Sequence, residues 1–203
     1  MPIDRRDPAA RTQSRGRCHL YVLPCAYEDL LKLGFSRDPL ARLQQLHPRW
    51  FEFFDLDRAF AVETETVPDA RKLELAQRRL LAEHNAPMPL TVRDDAGGKR
   101  EWYRGAYAQL AHAGLELRDA GHIVHAPLRA WLRHALEQRA DLLFSWTSAM
   151  LDADALASPL ARVLTPTSAQ RAVRDALDAY DAVGIDLAPW LPPAVLDWHG
   201  AGR

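Results

Sequence analysis

Two short apolar runs near the N-terminus, followed directly by a helix start, constrain the fold of this chain more than any other feature. Residues 18–23 and 30–35 are rich in leucine, β-branched and aromatic residues, and the segment between them is polar and turn-forming. Asp38 then suits a helix N-cap, and Pro39 suits the first helical position, where its missing N–H costs nothing. The pattern predicts an antiparallel hairpin that leads into a short helix ending near Leu46.

The next part of the chain adds one strand and two helices to this hairpin. Residues 58–66 alternate between apolar and polar side chains, which predicts a third strand. A longer helix is expected to begin at Pro68. Its inward-facing apolar residues are expected to extend to Leu80 and Leu81, and Glu74 is expected beside them. Residues 85–100 are rich in Pro, Asp and Gly and are expected to form a loop, and a helix is expected over 105–113.

The C-terminal part of the chain has a different character. A brief strand-like piece at residues 115–125 precedes two segments, 128–143 and 169–180, in which apolar residues recur at helical spacing. The final stretch, residues 188–200, contains so much Pro and Trp that an irregular strap is expected there. The predicted fold class is therefore α/β (α+β): a small, mostly antiparallel three-stranded sheet flanked by helices, followed by a mainly helical region.

Charge and composition divide the 203 residues into three expected regions. Residues 1–17 form a basic, polar tail with the composition of a disordered segment, 18–113 form the α/β domain, and 114–203 form the helical region. Residues 1–50 carry nine Lys and Arg against five Asp and Glu, whereas residues 151–203 carry four against seven. The basic end is compatible with a phosphate-rich partner, and the acidic end favours a protein partner or self-association.

Several classes of protein have no support in the sequence. No apolar stretch approaches the roughly 20 residues that cross a bilayer, and the first 17 residues lack the apolar core of a secretory signal. The protein is expected to be located in the cytoplasm and not to associate with a membrane. Cys18 and Cys25 are too few for a disulfide framework or a cysteine zinc site and are expected to be ordinary thiols. The motifs of dinucleotide-binding proteins, P-loop proteins, zinc proteases and serine esterases are absent.

A set of chemically distinctive residues follows these elements in order. The set comprises His19-Leu-Tyr21 on the first strand, Lys32-Leu-Gly34 on the second, Ser36 after it, Arg42 on the first helix, Glu74 on the long helix, and Glu101-Trp102-Tyr103 beyond the loop. This order resembles the GIY-YIG nuclease superfamily, and within it the phage-type branch. The resemblance covers about residues 18–110 and implies a small α/β nuclease domain.

The resemblance implies a metal-dependent endonuclease that hydrolyses nucleic-acid phosphodiester bonds, with DNA favoured over RNA. Tyr21 is the candidate to position or deprotonate the attacking water, and Arg42 is the candidate to hold the scissile phosphate. Glu74 would hold one Mg²⁺ (or Mn²⁺) ion, which favours carboxylate oxygens and retains most of its water. Lys32 is the fourth expected catalytic residue, either as a phosphate contact or as a charge that lowers the pKa of a neighbouring tyrosine.

Three further residues are expected to bind the substrate. Gly34 would allow a close approach of backbone and substrate, and Ser36 follows it. His47 lies at the end of the first helix, where its side chain either interacts favourably with the helix dipole or approaches the substrate. Glu101 is interpreted as structural, because the aromatic residues that follow it have the character of sheet-packing side chains.

Two departures from the family pattern leave a second interpretation open. His19 stands where the first motif has glycine, and Lys32 stands where the second motif has tyrosine. The alternative is a non-catalytic GIY-YIG-like module that binds nucleic acid or a protein. His122 and His125 lie three residues apart, but neither a cysteine nor a third histidine is placed to complete a metal set, so no metal site is predicted there.

Overall fold

The computed structural model describes residues 15–157 and 166–201, and their contacts divide them into two compact units. Unit 1 contains the described residues up to 47 together with 52–128. Unit 2 contains residues 48–51 together with the described residues from 129 onwards. Most of the tail predicted at residues 1–17 lies outside the described residues, which begin with a strand at Arg15.

Unit 1 is built on a six-stranded antiparallel sheet. The strands are β1 (Arg15–Pro24), β2 (Leu30–Ser36), β3 (Phe60–Thr66), β4 (Asn85–Ala86), β5 (Trp102–Arg104) and β6 (Val124–His125). Their order across the sheet is β4-β5-β2-β1-β3-β6. The predicted hairpin and third strand form the centre, and three short strands extend the sheet at its edges. The predicted α/β class is confirmed.

The strand register places the candidate site residues of the central strands on one face of the sheet. Tyr21 on β1 lies opposite Gly34 on β2, and Lys32 on β2 lies opposite Trp102 on β5. Because alternate residues of a strand point to the same side, Tyr21 and Lys32 share a face with His19. The other face carries the apolar core, which includes Leu20, Val22, Leu31, Leu33, Phe60, Val62 and Leu110.

The α-helices in this part of the chain are α1 (Pro39–Leu46), α2 (Trp50–Phe53, whose first two residues belong to unit 2), α3 (Val67–Leu80) and α4 (Tyr107–Asp119). The Asp38 carboxylate accepts a hydrogen bond from the Ala41 backbone N–H at 3.0 Å, so the predicted N-cap of α1 is confirmed. Leu80 is exposed rather than inward-facing, because α3 ends there and Leu81 turns into the core instead.

Two local predictions in unit 1 were wrong. The helix expected over residues 105–113 continues to Asp119 as α4, and only Val124–His125 of the strand-like piece is a strand. Residues 115–119, expected in the strand-like piece, belong to α4 instead. This helix is only partly buried, with Leu110 and Gly114 as its buried residues. The segment expected as a loop at 85–100 also begins with the two residues of β4.

Unit 2 is helical in its described residues. Its elements are α5 (Leu128–Glu137, whose first residue belongs to unit 1), α6 (Leu143–Met150), α7 (Ala153–Ala157), α8 (Ser168–Ala182) and α9 (Pro193–Gly200). The irregular strap expected at the end of the chain is wrong, because α9 is a regular helix. Pro192 is its N-cap and Pro193 its first residue, and neither position requires a backbone N–H. Among the described residues, none of the helices has the length and apolarity to cross a membrane.

Candidate active site

Tyr21 packs directly over Gly34, its partner across the central hairpin. A Cβ atom at position 34 would lie 2.5 Å from the Tyr21 hydroxyl oxygen and 2.8 Å from the ring carbon that carries it. The Tyr21 side chain is fully buried, so the ring has little freedom to move away. Glycine at position 34 therefore provides the space in which the tyrosine ring lies.

Arg42 approaches the Tyr21 hydroxyl from α1. Its Nε donates a hydrogen bond to the Tyr21 hydroxyl oxygen at 3.3 Å, and its terminal nitrogens donate to the backbone carbonyls of Ala96 and Gly97. Leu40 and Leu43 on the same helix are fully buried and fix the orientation of α1. The guanidinium group is therefore held between the central strands and the loop that precedes β5.

Lys32 is fully buried on the same face of the sheet. Its Nζ donates to Glu101 Oε2 at 2.6 Å and to the Gly98 carbonyl at 2.8 Å, and it lies 5.6 Å from the centre of the Trp102 ring. Burial lowers the pKa of Lys32, whereas the hydrogen bond and charge of Glu101 raise it. The ammonium group thus links strand β2 to both Glu101 and the loop around Gly98.

Glu74 projects from α3 and is 3 % exposed. Arg78, one turn later on the helix, donates to Glu74 Oε1 at 3.3 Å and lies 4.0 Å from Glu101 Oε1. Burial raises the pKa of Glu74, and so does the negative charge of Glu101, while Arg78 and Lys32 act in the opposite direction. The two carboxylates therefore influence each other within one electrostatic cluster.

The Tyr21 hydroxyl remains protonated near neutral pH. Burial raises the pKa of Tyr21 to about 12, and the negative charges of Glu101 and Glu74 add to the increase, although the charge and hydrogen bond of Arg42 lower it. A phenol in this state can donate its own proton in a hydrogen bond while it accepts one from Arg42.

The predicted substrate-binding residues have different local roles. The Ser36 hydroxyl donates to the Asp38 carbonyl at 2.9 Å and accepts from the Asp38 N–H at 3.1 Å, which shapes the turn between β2 and α1. The His47 ring stacks on Phe53 with the ring centres 4.5 Å apart, just beyond the end of α1. Substrate binding by Ser36 and His47 stays a prediction, whereas Gly34 lies against Tyr21.

The structure places Glu101 and Arg78 among the predicted catalytic residues, although the sequence analysis did not assign them to the site. Glu101 was interpreted as structural, yet it contacts Lys32 directly and approaches Arg78. The spacing of Glu74 and Arg78, four residues apart on a predicted helix, was a readable signal for their contact. The approach of Glu101 to Lys32 had no such local signal, because the two residues are 69 positions apart.

Two carboxylates of this cluster are candidate ligands for a hard divalent cation. Glu74 and Glu101 provide oxygen donors, which Mg²⁺ and Mn²⁺ prefer, and their mutual repulsion is part of what raises the pKa of Glu74. A bound cation would favour the ionised form of Glu74. Two carboxylates fill only part of the octahedral shell of Mg²⁺, so water would supply most of the remaining ligands.

Comparison with known proteins places these residues inside one domain. The family model described as the T5orf172 domain matches residues 19–118, a segment that contains every residue of the cluster from Tyr21 to Glu101. No curated protein and no solved structure matches the chain.

Proposed function

We propose that residues 19–118 form a metal-dependent endonuclease that hydrolyses nucleic-acid phosphodiester bonds, with DNA as the favoured substrate. The observation that carries this proposal is the convergence of Tyr21, Arg42, Lys32 and Glu74 from two strands and two helices. The matched T5orf172 domain is related to GIY-YIG/HNH-like nucleases, which supports a nuclease-like role for this segment. The preference for DNA rests on the family resemblance alone.

Arg42 is the proposed phosphate clamp. Its guanidinium group already donates to two backbone carbonyls, of Ala96 and Gly97, and one phosphate could accept the same hydrogen bonds with its oxygens. The contact with Tyr21 through Nε leaves these terminal nitrogens as the phosphate-facing side of the group. In this proposal the substrate displaces the carbonyls of the loop before β5.

Tyr21 is proposed to position the attacking water or a phosphate oxygen. Because the pKa of Tyr21 is about 12, its phenolate form is too rare at neutral pH to act as the general base. The hydroxyl therefore acts by donating a hydrogen bond. The packing on Gly34 and the contact with Arg42 fix the direction of this hydroxyl. Lys32 then serves mainly by holding Glu101 and the Gly98 loop in place.

Glu74 and Glu101 are proposed to hold one Mg²⁺ or Mn²⁺ ion. The bound ion would stabilise the negative charge that develops on the phosphate during hydrolysis. Arg78 lies against both carboxylates and Lys32 contacts Glu101, and these cations limit the repulsion between the carboxylates in the metal-free protein.

The exposed side of α3 offers a surface for the nucleic-acid backbone. Arg71, Lys72 and Arg79 line a shallow groove along the helix together with Val67 and Leu75. Basic side chains along one helix attract phosphates at modest salt concentrations, and this attraction weakens as salt rises. The groove lies on the exposed side of the helix that carries Glu74, whereas the Glu74 side chain itself is buried.

A cleavage assay with matched variants tests the proposal. Supercoiled plasmid and labelled single-stranded, double-stranded and branched DNA and RNA are incubated with Mg²⁺, Mn²⁺ or EDTA. We expect metal-dependent cutting that falls about 100-fold or more in Arg42→Ala and in Glu74→Gln, since each removes one transition-state interaction. Arg118→Ala and Glu116→Gln, which change exposed residues of α4, serve as controls and should cut like the wild type. Uncut substrates under all conditions, with the fold verified by circular dichroism, would contradict the proposal.

One observation favours a second candidate, a non-catalytic module that binds nucleic acid or a protein. Lys32, at the position of the second motif's tyrosine, is buried and neutralises Glu101. Salt-sensitive DNA binding without cleavage, unchanged by Glu74→Gln but weakened by Arg71→Ala, would select this alternative. Binding of a protein partner or self-association by residues 114–203 stays a prediction and can be measured by analytical ultracentrifugation.

A further inference from the structure

Three metal-ligating side chains from three strands meet near one end of the sheet. His19 lies on β1, Glu63 on β3 and His125 on β6. His125 Nε2 lies 2.8 Å from Glu63 Oε1, and His19 Nε2 lies 3.9 Å from the same oxygen. One ligand atom from each residue lies within 4.8 Å of the others, and no other such group of three occurs in residues 15–157 and 166–201.

We propose that His19, Glu63 and His125 bind one transition-metal ion of the Zn²⁺ class. Zinc takes nitrogen and oxygen ligands at about 2.0–2.2 Å, so ligand atoms around a tetrahedral ion are about 3.3 Å apart. The observed separations of 2.8 and 3.9 Å lie on either side of this value. Small side-chain adjustments are therefore sufficient to form three bonds, and the fourth position remains for water.

The ligand types separate this site from the proposed Mg²⁺ site. Two imidazoles and one carboxylate suit Zn²⁺ and similar ions, whereas Mg²⁺ prefers oxygen donors alone. The cluster also depends on this chain's own features. His19 replaces the glycine of the family pattern, and His125 lies beyond the matched segment 19–118.

The backbone of the sheet fixes the three ligand positions. His19 and Glu63 are direct partners across β1 and β3, and His125 pairs with Ala61, two residues before Glu63 on the same face. β6 has only two residues, so few ladder hydrogen bonds hold it. A metal bound by all three side chains would fasten this edge strand to the centre of the sheet.

One cationic side chain lies beside the cluster. The exposed Arg17 side chain lies 3.6 Å from Glu63 Oε2 and is free to turn towards solvent when a cation binds.

Titration of the metal-free full-length protein with Zn²⁺ tests the proposal. The protein is stripped with a chelator, and binding is followed by calorimetry and, with Co²⁺ as a probe, by visible absorption. We expect one ion per chain, loss of this binding in His19→Gln, Glu63→Gln and His125→Gln, and a rise in Tm on Zn²⁺ addition that occurs in the wild type and is absent from these three variants. His112→Gln is the control, because His112 forms an exposed pair with Glu116 on α4 at 3.4 Å, and within residues 15–157 and 166–201 this pair belongs to no group of three possible ligands.

Each outcome of this titration decides for or against the site. Absence of one-to-one binding, or full binding in His125→Gln and His19→Gln, overturns the proposal. Circular dichroism of each metal-free variant separates loss of a ligand from loss of fold, and Glu63→Gln preserves the shape of the side chain. The site is independent of the proposed nuclease, so Glu74→Gln should bind Zn²⁺ like the wild type.

Discussion

At Gly34 the absence of a side chain decides where Tyr21 lies. The aromatic ring occupies the space that a Cβ atom would need, and its hydroxyl then meets Arg42 at 3.3 Å. The same residue pair is the centre of the hairpin register. One glycine therefore sets both the packing of a buried aromatic ring and the direction of a candidate catalytic hydroxyl.

Gly34→Ala is expected to destabilise the protein by about 1–3 kcal/mol, because the added methyl overlaps a buried ring. Cleavage activity should fall by about tenfold or more, since the Tyr21 hydroxyl moves away from Arg42. Urea unfolding and the plasmid assay measure the two effects. Gly200→Ala, where a Cβ meets no atom within 4 Å, is the control and should not lose stability. An unchanged urea midpoint for Gly34→Ala would show that the ring relaxes freely.

At the scale of the element, α4 lies close to the sheet because one of its residues is glycine. A Cβ at Gly114 would lie 2.9 Å from Cε2 and 3.1 Å from Cζ of Phe60 on β3. In an exposed helix, glycine is about 1 kcal/mol less favourable than alanine. The close packing of α4 on Phe60 offsets this local cost.

Gly114→Ala should therefore destabilise unit 1 by about 1–2 kcal/mol instead of stabilising the helix. The double variant Gly114→Ala/Phe60→Leu should lose less stability than the sum of its two single variants, because the smaller leucine makes room for the methyl group. Urea unfolding of the four proteins gives the coupling energy. A gain in stability for Gly114→Ala alone would mean that the helix moves away from β3 without penalty.

At the scale of the whole molecule, unit 2 joins segments that are far apart in the sequence. Arg49 donates to Asp175 and to Asp178 on α8, each at 2.9 Å, and His199 on α9 lies 2.7 Å from Asp178. Burial raises the pKa of Asp178, but the hydrogen bonds from Arg49 and His199 outweigh it and leave the pKa below its ordinary value. This network ties residues 48–51 to two C-terminal helices.

Asp178→Asn is expected to cost about 1–3 kcal/mol at neutral pH, since it weakens two charge-assisted hydrogen bonds. A carboxylate with a lowered folded pKa contributes stability that is present above its unfolded pKa and lost as pH falls through the folded pKa. The difference between wild type and variant should therefore shrink as the pH falls below about 4, close to the pKa of an unfolded aspartate. Urea unfolding across a pH series measures it. Asp175→Asn, which loses only one of these contacts, should cost less, and equal losses would contradict the central role of Asp178.

Local periodicity was sufficient to predict the central elements. The hairpin, α1 with its Asp38 cap, β3 and α3 follow from apolar spacing and capping residues within a few positions of each other. The same reasoning failed at α4 and α9. One side of α4 packs and the other is solvated, and its last residues were therefore assigned to a strand. In α9 two prolines occupy the N-cap and the first helical position, which tolerate them.

The sequence by itself determined the α/β class, the order of the candidate residues and their chemical types. Tertiary structure alone decided that Glu101 contacts Lys32 and that His19, Glu63 and His125 converge. The physical reason is that helix and strand preferences depend on near neighbours in the chain, whereas these contacts depend on how the strands pair across the sheet. Glu63 and His125 are 62 positions apart, and Lys32 and Glu101 are 69 positions apart. Each pair meets only because strand pairing brings distant parts of the chain side by side in the sheet.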